Sequence, residues 1–348
     1  MTAALLESPA TTTRRRRLRL PRSRKLLVGL VILGVFVIVG IIGPIVFPGA
    51  NATSPDAFAS PSRAHLLGTT NLGQDVFQQV ANGTRGSLTV GLVAGVLSTL
   101  VAMVVGIVAG YIGGLTDDAL SLLGNVVLVI PSLPLIILIT NYVNSRSYLT
   151  IALVIAATAW ASTSRVLRTQ TLSLRNRDFV DAARVAGEST WRIIAYEVMP
   201  NLLPIIANSL VFSGLFAILT EAGLDFLGLG TVNASSWGSI LYYAQNAQAL
   251  SLGAWWWFVP PGLCIALVGM ALSLINFSID ELVNPRLRVA ARVTANRSAA
   301  DARQLPTGAV ADGDADAATQ VAVTGTGATQ SQTLPSERVQ DHRRGDRP

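Results

Sequence analysis

Charge is scarce in this chain. Asp, Glu, Lys and Arg make up 13% of its 348 residues, while hydrophobic residues make up 51%. Soluble domains carry roughly 25% charge, so the composition points to a polytopic membrane protein. Cysteine occurs once, as Cys264 within an apolar run, which excludes a disulfide framework or a cysteine metal cluster inside the chain. Histidine occurs twice, as His65 in a polar segment and His342 near the C-terminus, which argues against a histidine metal site or a catalytic dyad. No Gly-rich loop ending in Lys-Ser/Thr is present, so any ATP hydrolysis must come from a partner. The net charge of +6 comes largely from arginine clusters beside apolar runs. Such clusters act as membrane topology signals, and without an aromatic-interleaved basic domain they do not indicate nucleic-acid binding. Apart from Glu221 and Asp225, the apolar runs hold no acid. A stand-alone secondary transporter would need midplane carboxylates or broken-helix ion sites, and no inverted repeat is visible. No histidine, acid or metal set stands ready to activate a nucleophile, so an intramembrane enzyme is also disfavoured.

Six apolar stretches are long enough to cross a hydrocarbon core of roughly 30 Å. Residues 1–25 are Thr-rich and then basic, and read as a disordered cytoplasmic anchor. Leu26 to Val46 is the first span; it exceeds the roughly 7–15 apolar residues of a signal peptide, so it is expected to remain uncleaved. A polar external segment, 47–87, leads to an apolar core over 88–288 with five more spans. Leu88 to Ile112 is the second span, with Gly91/Gly95 and Gly106/Gly110 spaced for close helix packing. Ala119 to Val143 is the third, interrupted by Pro131 and Pro134, whose missing N–H groups free carbonyls that must find partners or line a cavity. Asn125 and Asn141 are expected to make interhelix hydrogen bonds. The fourth span runs from Leu149 to about Arg168, and the fifth over 200–220, closed by Glu221 and Asp225 at the outer interface, where Glu221 would be half solvated. Residues 231–253 form an external segment, Trp255-Trp256-Trp257 an interfacial belt, and the sixth span ends near Ile279. The tail, 289–348, lacks apolar periodicity and reads as disordered. Basic residues gather at the N-terminus, between the fourth and fifth spans, and in the tail, which puts these parts in the cytoplasm. The expected fold is all-α with six transmembrane helices and both termini cytoplasmic.

The most distinctive stretch lies between two spans, within 168–200. Asp178 is a good N-cap for a helix through Ala186, Gly187 can stop it in the left-handed conformation, and Ser189 can cap a second helix. That second helix must end or kink at Pro200. The series Asp181-Ala182-Ala183, Gly187 and Met199-Pro200 resembles the EAA loop of bacterial ABC-importer permease subunits, with Asp181 replacing glutamate and Glu197 at an isoleucine position. Further likenesses narrow this to the dipeptide/oligopeptide type: Gly68-Thr69, Gly73, Asp75, Gly83, Arg85 and Ser87-Leu88, then Glu221 to Gly230, Trp237-Gly238, and Asn284-Pro285-Arg286-Leu287-Arg288. Thr70, Gln74, Asn125 and Asn284 depart from its pattern.

The resemblance implies a type I importer permease in the bacterial plasma membrane. Its hairpin, through Asp181, Ala182, Ala183, Gly187, Glu188 and Ser189, would dock on an ATPase. Asp75, Arg85, Glu221 and Trp237 are the candidates for external or substrate contact. The implied partners are a second permease subunit in a heterodimer, two cytoplasmic ATPase subunits carrying ATP and Mg, and an extracytoplasmic substrate-binding protein. The chain itself would bind no cofactor or metal and catalyse nothing. Di- and oligopeptides are the expected cargo; nickel, haem or a sugar is the alternative.

Overall fold

A computed structural model of the chain describes residues 24–142, 147–230 and 235–283; the N-terminal anchor before Arg24, the C-terminal tail and the Asn284 to Arg288 exit lie outside these. The described residues form helices α1 (Arg24–Val46), α2 (Val76–Ile112), α3 (Gly114–Val129), α4 (Ser132–Tyr142), α5 (Tyr148–Arg175), α6 (Asp178–Val185), α7 (Thr190–Ile193), α8 (Met199–Phe226), α9 (Trp237–Asn246) and α10 (Trp255–Val283). Five continuous stretches are long and apolar enough to cross a membrane, and α3 with α4 makes a sixth as a pair bent by 87°.

The end of the polar external segment and the second span are one helix. Asp75 accepts from the N–H groups of Phe77 and Gln78, which caps α2. No proline interrupts the 37 residues that follow. At 1.5 Å per residue α2 is about 55 Å long, so its first turns stand clear of the apolar layer.

Glycines report how the helices run. Gly86 abuts the Tyr148 ring at one end of α2, and Gly110 abuts Arg168 and Thr171 near the other. α2 and α5 are therefore parallel, and the chain between them must return from one end of the bundle to the other. The bent pair α3–α4 performs that crossing. Gly91 and Gly95 face Ile218 and Gly214, so α8 runs antiparallel to α2. α1 packs antiparallel against α10, with Gly29 beside Ala271 and Ile275 and Lys25 Nζ 2.5 Å from Glu281 Oε1.

The bundle thus has two distinct ends. One gathers Lys25, Asp117, α6, α7 and Glu281. The other gathers the polar segment after α1, the start of α2, Glu221, α9 and the tryptophans of α10. The three tryptophans differ in their surroundings: Trp257 is buried under Phe58 and Trp256 donates to the Thr69 carbonyl, leaving Trp255 exposed. The polar segment folds over the start of α10, so the expected aromatic belt reduces to one residue.

Candidate functional site

α6 and α7 form the hairpin anticipated from sequence, with details set by backbone chemistry. Arg177, not Asp178, stands at the N-cap of α6; Asp178 is the first helical residue, where its charge still favours the helix N-terminus. At the other end Gly187 takes φ +81°. Its N–H bonds the Arg184 carbonyl and that of Glu188 bonds the Ala183 carbonyl, the paired pattern that closes a helix on a left-handed residue. Ser189 precedes α7 in an extended conformation, without a side-chain capping bond.

Pro200 does not end the second helix. A single π turn, Ile194–Val198, joins α7 to α8, and the Met199 N–H reaches back to the Ile194 carbonyl. Pro200 has no N–H for the Tyr196 carbonyl and its ring crowds that turn. Widening the turn just before it lets the chain continue, so α7 and α8 read as one interrupted helix from Thr190 to Phe226.

The hairpin has two faces. Val180 is fully buried, in a cluster with Ile107, Tyr111, Ile193, Ile194, Val198 and Leu202. Residues of α2, α6, α7 and α8 meet there, so the hairpin is packed onto two spans. Arg184 fastens it further, pairing with Asp181 at 2.9 Å, donating to the Arg175 carbonyl and lying 5.5 Å from the Tyr111 ring centre. Arg192 pairs with Glu188 at 2.6 Å. Nearby, Arg168 grips Asp117 with two bonds of 2.5 and 2.7 Å, tying α5 to the start of α3.

The other face is open. Ala182, Gly187 and Ser189 are exposed, Ala183 and Glu188 half-buried. Around them Val185 is 90% exposed, Trp191 64% and Tyr196 74%. The sequence reading missed these three and Val180. Their apolar character at a charged end was the available signal.

At the opposite end the four candidate contact residues separate. Glu221 has 0% exposure, which overturns the expectation of a half-solvated interfacial acid. The cause is α9, which folds back over the end of α8. A Cβ at Gly238 would lie only 2.7 Å from Ala222 Cα, so the approach requires glycine. Ser87 of α2 donates to Glu221 Oε2 at 3.1 Å and accepts from the Trp237 N–H at 3.3 Å. Ser236, the N-cap of α9, donates to Asp225. Trp237 is itself fully buried, its indole N–H bonded to the Val80 carbonyl. Asp75 is committed to the α2 cap and to His65 Nδ1, 2.9 Å away. Of the four, Arg85 alone is exposed, on the wall of a cavity of about 640 Å³ with Pro44, Asn51, Thr89, Tyr148 and Ser235. Asn125 meets Arg165 across helices at 2.7 Å, whereas among the described residues Asn141 donates only to Ile137 of its own helix.

A family model described as the binding-protein-dependent transport system inner membrane component matches residues 102–289. The chain belongs to this family. That stretch includes the whole hairpin, all of α8 and the end of α2 on which the hairpin packs. A putative peptide transport system permease protein of Brucella suis is 35% identical over 287 residues, covering 81% of this chain and 94% of the relative. The oligopeptide transport system permease protein OppC of Bacillus subtilis is 30% identical over 272 residues, covering 77% and 88%. The dipeptide transport system permease protein DppC of the same organism is 30% identical over 273 residues, covering 78% and 84%. As an inner membrane component the chain is a multi-pass protein of the bacterial plasma membrane and the permease part of a multi-subunit ABC transport system.

Proposed function

We propose that this chain is one of two permease subunits, a heterodimer, through which an ATP-driven importer moves di- and oligopeptides delivered by an extracytoplasmic binding protein. The single observation that carries the coupling part of this reading is the two-faced hairpin. Val185, Trp191 and Tyr196 offer an apolar surface to a cytoplasmic ATPase, while Val180 and Arg184 pack the same element against α2, α5 and α8. In this reading both termini and the hairpin are cytoplasmic. ATP and Mg belong to the two ATPase subunits, and the chain is not itself catalytic. When the ATPases close on ATP, the hairpin is displaced and carries the ends of α2 and α8 with it, rocking the spans between inward and outward openings. The peptide cargo is supported by the relatives, which are peptide, oligopeptide and dipeptide transport permeases.

Reconstitution tests this. The complex purified from native cells, placed in liposomes with its binding protein, is expected to accumulate labelled tri-alanine only while ATP is hydrolysed. Uptake by this chain alone, without ATP, would instead mark a secondary transporter. ATP-driven uptake of nickel, haem or a sugar but not peptide would move the cargo to that alternative.

A further inference from the structure

Between α3 and α4, where the third span bends, a cavity of about 350 Å³ opens against α5 and α8. This is within the range of small-ligand sites, roughly 300–1,000 Å³. It sits near mid-depth. At 1.5 Å per residue, Thr163 lies about 22 Å along α5 from Tyr148, and Ser213 about 21 Å along α8 from Met199. Those helices start at opposite ends of the bundle.

The backbone at the bend is short of donors. In a regular helix the Val127 carbonyl would accept from residue 131 and the Ile130 carbonyl from residue 134. Both positions are proline, so neither N–H exists. Val127 and Ile130 both line the cavity. At membrane depth, backbone freed in this way is tolerated only when buried in protein or facing a polar space. Hydroxyls face the same space from the other walls. Thr163 and Ser213 are 8% and 5% exposed, and neither hydroxyl has a hydrogen-bond partner among the described residues. Elsewhere in the bundle the hydroxyls of Thr140, Ser164 and Thr171 donate to carbonyls of their own helices. No charged side chain lines this cavity among the described residues, and the Phe212 and Phe216 rings border it.

We propose that this cavity is a transit site for the peptide main chain, resting on the peptide-import reading above. Carbonyls deprived of their regular helical donors, together with unbonded hydroxyls, match the alternating N–H and C=O groups of a peptide backbone. Uncharged walls leave the side-chain identity unread, so peptides of many sequences pass through one site.

The test uses the whole complex in liposomes with its binding protein. Thr163→Val with Ser213→Ala removes both hydroxyls with little change of volume. The expected result is a fall of about tenfold or more in tri-alanine uptake, at unchanged subunit recovery and unchanged basal ATP hydrolysis. An N-methylated tri-alanine, which lacks backbone N–H groups, is expected to be a poor substrate of the unaltered complex and to lose little more in the variant. Equal losses for both peptides, or no loss for either, would overturn the proposal. Ser162→Cys in a Cys264→Ala background supplies a second reading, because Ser162 lines the cavity and is exposed. Labelling by a charged, water-soluble thiol reagent, slowed by tri-alanine, is expected. Absence of labelling would mean that lipid or the second permease subunit fills the space, and would also overturn the proposal. If the unaltered complex takes up no peptide at all, the cargo assignment fails, whatever the labelling shows.

Discussion

Single residues at the outer end decide whether the bundle closes over its buried acids. Glu221 and Asp225 lie one turn apart at the C-terminal end of α8, where a helix already presents partial negative charge. The described residues place no cation beside them; the hydroxyls of Ser87 and Ser236 and the N-terminus of α9 take that part. Ser87→Ala would leave one Glu221 oxygen and the Trp237 N–H without their partner, at about 1–3 kcal/mol for each orphaned group. A lowered melting temperature of the detergent-solubilised protein is expected, with Ser87→Thr losing less. An unchanged melting temperature would mean that another group satisfies the acid. Gly95 makes an independent prediction. A Cβ there would lie 2.9 Å from the Gly214 Cα, a backbone atom that cannot rotate away. Gly95→Leu should therefore cost more than the roughly 1–3 kcal/mol of ordinary overpacking. This is measurable as loss of folded protein by size-exclusion chromatography.

At the scale of elements, the notable junction is the π turn between α7 and α8. Such turns occur mostly as single insertions and often at functional sites. Pro200→Ala would return an N–H to the Tyr196 carbonyl and allow a regular helix, whose continuation would rotate the hairpin relative to α8. We expect equal or higher thermal stability but more ATP hydrolysed per peptide transported. An unchanged ratio would show that the turn has no part in coupling. How much of this was readable follows from locality. Gly187 and Pro200 announce themselves, because a left-handed stop and a missing donor are properties of one residue. The second span is legible from Leu88 on, but its helix starts earlier, at Val76, because no residue from Val76 to Ser87 breaks it. The bend at Pro131 was expected, but its 87° angle was not, because it depends on what α5 and α8 place beside it. The burial of Glu221 was unreadable for the same reason. It depends on α9 returning over α8 from the far side of residues 231–234.

For the molecule as a whole, the arrangement joins an anchored hairpin at one end to a closed, hydrogen-bonded cap at the other through α2 and α8. α2 is the common member, touching α1, α5 and α8 and, at Tyr111, the hairpin. A movement imposed on the hairpin therefore reaches the outer end through a continuous helix. The family assignment accords with this division of labour, since an inner membrane component is one part of a multi-subunit transport system. The central claim is that the open face of α6 and α7 is where an ATPase docks, and Val185 tests it most directly. Its side chain is 90% exposed, so Val185→Asp should leave the fold and melting temperature unchanged. Affinity purification from native cells is expected to recover ATPase chains with the unaltered protein and to lose most of them with the variant, together with ATP-driven uptake. Full recovery of ATPase chains by a variant that carries a charge in the middle of that face would contradict the account.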